Sequence, residues 1–284
     1  MHQFDSGRGL PKMQKSALVI IFVLSTLYFV LSGNVQAQNL TFERANQDYQ
    51  YNLSLYNQAY SDYRDARDFY LSNKTLALKE DARIKTLSML RTRDQLLIVY
   101  LTNLRAKISE TKGLSDADRG AIFGKIDTEV EWFTIHKTTY DNNDSLESLF
   151  TKSDEVKDRY KTSSSPILYE SLFDISLGQE VGLRQDQETI YTTLRSTVEK
   201  DVASGTLNSN TFSRFFKDID GVIADLKQNE DKAKTQIQLV YNNQYYTAVT
   251  GFNQATDTLT LSAKSLTQLN KFLTEVLASI KNQQ

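Results

Sequence analysis

From Tyr241 to Ile280 the chain carries an uninterrupted stripe of residues spaced alternately four and three apart. It reads Tyr241, Tyr245, Ala248, Phe252, Ala255, Leu259, Ser262, Leu266, Leu269, Leu273, Val276, Ile280. Such a heptad repeat is the signature of a long helix with one face against a partner. One position is always large, and in the first half the other is always small. The start of the chain beyond its N-terminal segment repeats the alternation in Phe42, Ala45, Tyr49, Asn52, Tyr56, Ala59, Tyr63, Ala66 and Tyr70. Two stripes of matching pattern suggest partners. At ~1.5 Å per residue each full segment would be a rod of about 100 Å.

Helix breakers are scarce. The 284 residues include two prolines and 11 glycines, and only Pro166 lies beyond the N-terminal segment. No run alternates with period two between turn residues, so strands do not compete. The expected fold is all-α.

The helix boundaries follow from caps and interruptions. Thr41 is the expected N-cap of the first helix, and Ser115 that of the next, with Asp116 and Asp118 suiting the positive end of its dipole. Leu87, Leu90, Asp94, Leu97, Leu101, Leu104 and Ile108 continue the first stripe, with Asp94 as a charge among apolar positions that pairs with Arg91 or Arg93 or turns outward. No proline interrupts at Asn73, so one long helix over 41–111 is favoured, closed by Gly113 as a C′ glycine. Ile122, Ile126, Val130, Phe133 and Tyr140 stripe the following helix, and a short helix runs from Ser145 to about Lys161. Ser163-Ser164-Ser165-Pro166 reads as the clearest boundary, with capping serines and Pro166 in the next first turn. Residues 203–210 read as a loop, after which Ser209 or Thr211 opens the last long helix. These lengths lead to an elongated antiparallel helical bundle in one domain over 38–284. Its head, 75–240, would be a four-helix bundle, and its stalk a two-helix coiled coil of 41–72 with 245–281. Phe42 would then meet the region of Ile280, and the intervening break points near Asn73 and Asn243 would be continuous helix.

Residues 1–37 read as a targeting segment. Lys12 and Lys15 precede an apolar run from Ala17 to Leu31, Gly33 breaks it, and Val35-Gln36-Ala37 supplies a signal-peptidase site. Cleavage after Ala37 is favoured over an uncleaved anchor, because a span usually needs about 20 apolar residues. Loss of Asp5, Arg8, Lys12 and Lys15, one acid and three bases, takes the formal charge from −2 to −4. A mildly acidic chain argues against nucleic acid as partner. There is no cysteine, so an exported product fits a bacterial envelope or secretion better than a disulfide-bonded eukaryotic compartment.

Site chemistry is thin. The tyrosines of the two stripes and their neighbours, Tyr49, Tyr51, Tyr56, Tyr60, Tyr63, Tyr70, Tyr241, Tyr245 and Tyr246, form a possible partner surface, since Tyr offers large contact area at small entropic cost. The reading favoured over this is the seam of a thin coiled coil, which cannot bury a full leucine. His136, the one histidine after the targeting segment, should stack on Trp132 four residues earlier and read as a rim residue. A single histidine without a Glu-x-x-His pattern does not suggest zinc or di-iron, and no nucleophile constellation stands out. Gly120-x-x-x-Gly124 and Gly178-x-x-x-Gly182 suggest close helix packing. No cofactor or metal is expected. The function expected from this pattern is an exported, non-enzymatic envelope protein acting as spacer, scaffold or adhesion module for another macromolecule. Alternatives are a soluble helical pore-forming protein, for which no apolar run of ~18 residues is present, and an extracytoplasmic small-molecule sensor bundle.

Overall fold

The structure, a computed structural model, describes residues 41–242 and 245–283. The targeting segment over 1–37 and the side chains of Tyr245 and Tyr246 lie outside the described residues. Those residues are helical almost throughout: α1 (Phe42–Ser72), α2 (Leu76–Glu110), α3 (Asp116–Thr138), α4 (Leu146–Arg159), a π-helical turn (Tyr160–Ser164), α5 (Ser165–Ala203), α6 (Ser209–Ile237), a 3₁₀ turn (Gln238–Tyr241) and α7 (Tyr245–Gln283).

Local chemistry places the starts. Thr41, Thr75, Ser115 and Ser145 are in extended backbone conformation, and each side-chain oxygen accepts a hydrogen bond from the N–H three residues on. Asn208 does the same for Asn210 at the head of α6. Thr75 is decisive for the topology. It caps a new helix directly after Asn73, so the expected continuous helix over 41–111 is instead an antiparallel hairpin of α1 and α2. Phe42 N–H donates to Glu110 Oε1 (2.8 Å), Lys107 lies over the Phe42 ring (4.5 Å), Tyr49 packs on Tyr100 (5.2 Å) and Lys85 pairs with Asp62 (3.2 Å). Ala45, Ala59 and Ala66 are buried along this seam.

The second long segment is broken in the same way at the 3₁₀ turn, and α7 folds back on α6. Phe212, Ile219, Val222 and Leu226 of α6 share a core with Leu266, Leu269, Leu273 and Val276 of α7. Ala248, Ala255 and Leu259 pack with Ile237, Val240 and the α5 residues Phe173, Leu177 and Val181. The stalk of 41–72 with 245–281 is therefore not formed among the described residues: α1 pairs with α2, and α7 pairs with α6 and α5. The large/small alternation did mark close-packed seams, but each seam belongs to a local hairpin. Local closure costs less chain entropy than joining two ends of the chain.

Helix α5 joins the two hairpins. Its first turns enter a core with Leu101, Ile108, Ile122, Ile126, Phe133 and Val156 through Ile167, its middle packs against α6 and α7, and its end carries Tyr191 and Val198 into the last cluster. The head of four helices over 75–240 is replaced by these two sets around one shared helix. Two glycines make the joint. Gly113 N–H donates to the Gly178 carbonyl (3.1 Å), and a Cβ at Gly113 would lie 2.1 Å from that oxygen. Gly113 is thus a close-approach residue rather than a left-handed C′ glycine, a role filled by Gly205 (φ 80) at the end of α5. The expected close packing of Gly178-x-x-x-Gly182 is seen, with the α2–α3 turn as its partner. Gly120 and Gly124 differ: neither has a neighbour within 4 Å of a built Cβ.

At the serine-rich boundary of 163–166 Pro166 does sit in the first turn of α5, as expected, but the capping serines are corrected. Ser164 makes no side-chain cap, and the chain passes from α4 into α5 through the π turn. Pro166 has no N–H to give and its ring crowds the preceding turn. A π turn absorbs both, and Ser165 N–H reaches back to Tyr160 O. No helix among the described residues is long and apolar enough to cross a membrane.

Candidate functional site

Helix α3 carries two rows. One is the apolar stripe of Ile122, Ile126 and Phe133. Directly beside it, and buried with it at Glu129 and His136, runs a row of Lys125, Glu129, Trp132 and His136, with Tyr140 just beyond the helix end, at spacings of four, three, four and four. Each of these meets a charged or aromatic partner from a different helix, so the row is a polar ladder through the first half of the fold.

At its lower end sits His136, buried at 4% exposure, not at a rim as its isolation in the sequence suggested. The ring stacks on Trp132 (4.8 Å, 11°) as the four-residue spacing implied, and meets Tyr140 edge-on (5.2 Å). Its Nδ1 lies 2.6 Å from Asp94 Oδ2. Asp94, wholly buried, also accepts from Arg93 Nε (3.2 Å), so the expected pairing with Arg93 is formed and the outward reading is not. Arg93 continues to Ser153 (2.9 Å) and to the Tyr140 hydroxyl (3.1 Å). Burial pushes the Tyr140 phenol above its ordinary range, with Arg93 opposing. His136 Nε2 faces Glu155 Oε2 at 3.6 Å. An Asp–His pair supplies two of the three members of a nucleophilic triad, but here a carboxylate occupies the position a hydroxyl nucleophile would need. The cluster ties α2, α3 and α4 together.

One turn up, Glu129 is wholly buried and receives Arg159 Nη2 (2.7 Å) and Nε (3.0 Å), together with the Ser164 hydroxyl of the π turn. The Arg159 guanidinium lies over the Trp132 ring (5.2 Å), which links this pair to the histidine cluster. Higher still, Lys125 Nζ holds both oxygens of Glu170 (2.9 and 2.7 Å) and donates to the Tyr241 hydroxyl (3.1 Å), which itself donates to Glu170. Burial and the Glu170 charge push the Tyr241 phenol up.

Between these two ion pairs opens a cleft of about 530 Å³, lined by Ala121, Gly124, Lys125, Thr128, Glu129, Arg159, Thr162, Ser163, Ile167 and Tyr241. Its size falls within the range of small-molecule sites. Two further clefts, of about 470 and 300 Å³, lie at the far end of α5 and beside Gly113. No group of three or more His, Asp or Glu side chains that could hold a metal occurs among the described residues.

The tyrosines separate into classes. Tyr49, Tyr56, Tyr60, Tyr63 and Tyr70 are half-buried along the α1–α2 hairpin, with Tyr56, Tyr60 and Tyr63 in ring contact. Tyr241 belongs to the cleft. Tyr51 stands out of the seam at 64% exposure, accompanied by Leu55 (41%) and Phe69 (62%). Residues 51 and 69 are 18 apart, five full helical turns, so they point the same way, about 27 Å from each other. Neither Leu55 nor Phe69 was singled out by the sequence, since both lie off the heptad stripe. That offset from a buried stripe was the available signal.

Two carboxylates elsewhere are strained toward their neutral forms. Burial, with Glu170 and Asp118 adding repulsion, pushes Asp174 from 3.8 up to about 7. Burial likewise raises Glu180 from 4.5 to about 7, with Ser262 opposing and the Glu230 charge adding to the rise. An acid whose pKa is raised in the folded state contributes stability that is complete below its unfolded pKa and lost as pH rises through the folded one. Unfolding free energy should therefore fall between about pH 4 and about pH 7.5, by on the order of a few kcal/mol for the two groups together. The lowered acids Asp62, Glu80, Asp144 and Glu147 act only below that window. Urea melts across this range check the sign, and Asp174→Asn combined with Glu180→Gln should flatten the curve.

Comparison of the chain with protein-family models, curated proteins and solved structures gives no match.

Proposed function

We propose that this chain is an exported, non-enzymatic helical-bundle module of the cell envelope that binds another macromolecule through the outer flank of α1. The observation that carries the reading is Tyr51, Leu55 and Phe69, large apolar side chains left in solvent on the flank of a helix whose adjoining face is closed against α2. Aromatic side chains presented from a rigid helix are the usual anchors of protein recognition. The lysine- and alanine-bearing targeting pattern of residues 1–37 and the lack of cysteine support export.

Three ion-paired carboxylates around α3 support the non-enzymatic part. Asp94 is closed on His136 and Arg93, Glu129 on Arg159, and Glu170 on Lys125. Each would have to give up its charged partner to act as a base. The module would act as an adhesion or scaffold element, with α5 holding the α1–α2 hairpin and the α6–α7 hairpin as its two arms.

The test is capture from envelope fractions with residues 38–284 as bait, run beside a Tyr51→Ser/Phe69→Ser variant. Both positions are exposed, so the variant should keep its circular dichroism and melting temperature. The expected result is a partner retained by the wild type and lost by the variant. Equal capture by both, or none by either, would remove the assigned surface. Fractionation of the native host, with the mature N-terminus read by mass spectrometry, checks export separately; Gln38 is the expected first residue.

A further inference from the structure

Three features that weaken a helical fold meet at the 530 Å³ cleft. Gly124 lies inside α3, where glycine is a poor helix residue, and no atom comes within 4 Å of a Cβ built there, so packing does not demand it. The π turn forms the facing wall through Thr162 and Ser163, and such turns recur at functional sites. Two ion pairs flank the opening, one with a carboxylate, Glu129, wholly buried. Local rules broken together at one place, with no packing return for the glycine, mark a site kept for something else.

The chemistry of the walls narrows what that is. The charges cancel locally, Lys125 against Glu170 and Arg159 against Glu129. A charged ligand would shed its water without finding a free counter-charge. The hydroxyls of Thr128 and Thr162 donate inward to the carbonyls of Gly124 and Asp158 (both 2.9 Å), which leaves their oxygen lone pairs to accept. Arg159 spends Nε and Nη2 on Glu129 and carries further N–H groups on the same guanidinium. Ala121, Ile167 and the Tyr241 ring add apolar surface. Hydroxyl oxygens that accept, a guanidinium that donates, and an apolar flank suit a ligand with both O–H donors and oxygen acceptors around a C–H face.

We infer that the cleft between α3, the π turn and the 3₁₀ turn binds a neutral polyhydroxylated molecule of mono- or disaccharide size. The site is separate from the α1 flank, and its test does not depend on a macromolecular partner. Wild-type 38–284 is examined by saturation-transfer NMR and by thermal shift with glucose, galactose, trehalose and sucrose, beside glucose 6-phosphate and gluconate as anionic controls. Gly124→Leu fills the cleft from an open position and replaces glycine with a better helix former, so it should fold at least as well as the wild type. Thr128→Tyr, also at an exposed position, provides a second block should the first disturb α3. The expected result is binding of at least one neutral saccharide, weakened at least ~10-fold in whichever blocked variant keeps the wild-type circular dichroism. Failure of every neutral saccharide, preference for the anions, or undiminished binding in a folded blocked variant would each overturn the assignment.

Discussion

Gly113→Val should abolish the folded state under conditions where Gly120→Ala leaves it intact. A side chain at Gly113 meets backbone on two sides: its Cβ would lie 2.1 Å from Gly178 O and 2.5 Å from Gly182 N, with Val181 Cβ at 2.9 Å. Neither backbone atom can swing away as a flexible side chain could. The hydrogen bond from Gly113 N–H to Gly178 O would be lost with the displacement, and so would the seating of Thr111 and Leu114 over Gly178. Even alanine should cost more than ~3 kcal/mol, beyond the common range for overpacking, because the clash is with main chain. At Gly120 nothing lies within 4 Å of the added Cβ, and alanine gains up to about 1 kcal/mol in helix propensity. Denaturant midpoints of the two variants measure the contrast directly. Gly182→Ala, with nearest neighbours at 3.6 Å or more, should fall close to wild type.

The second large effect is expected at Asp94. Its carboxylate is wholly buried and holds His136 Nδ1 and Arg93 Nε. Asp94→Ala leaves both partners facing an empty position and should cost ~3–5 kcal/mol, the usual consequence of breaking one half of a buried ionic cluster. Asp94→Asn keeps the shape and one hydrogen bond and should cost less. His136→Ala loses that hydrogen bond and the Trp132 stack, so about 2–3 kcal/mol is expected. Glu155→Ala removes a carboxylate whose side chain is 56% exposed, and should stay within ~1 kcal/mol. The chain has one tryptophan, and it stacks on this histidine, so Trp132 fluorescence and near-ultraviolet circular dichroism report the cluster alongside the unfolding curves.

The sequence made some of this legible and hid the rest for definite reasons. Helical class, the caps at Thr41 and Ser115, the stack of Trp132 on His136 and the pairing of Asp94 with Arg93 all depend on residues close in sequence, where spacing dictates contact. Helix pairing was not legible. A large/small stripe on 241–280 says that a partner approaches closely, but α5, α6 or a distant helix would satisfy it equally. The break at Asn73 carries neither glycine nor proline, and only the Asn73-Lys74-Thr75 cap chemistry marks it. His136 looked isolated because its carboxylate stands 42 residues away on α2. The cleft was invisible for a similar reason: Lys125 and Tyr241 are 116 residues apart. Yet α3 did announce a second row, since Lys125, Glu129, Trp132 and His136 fall at helical spacing alongside the apolar stripe.

The most direct test of the proposed role is site-specific photocrosslinking in intact cells of the native host. A photoreactive residue is placed at Tyr51 or Phe69 on the α1 flank, or at the exposed positions Lys217 and Lys232 on α6 as references. The account predicts a discrete crosslinked partner in the envelope fraction from positions 51 and 69 and none from 217 and 232. The same adducts from all four positions, or no adduct at 51 and 69, would contradict it.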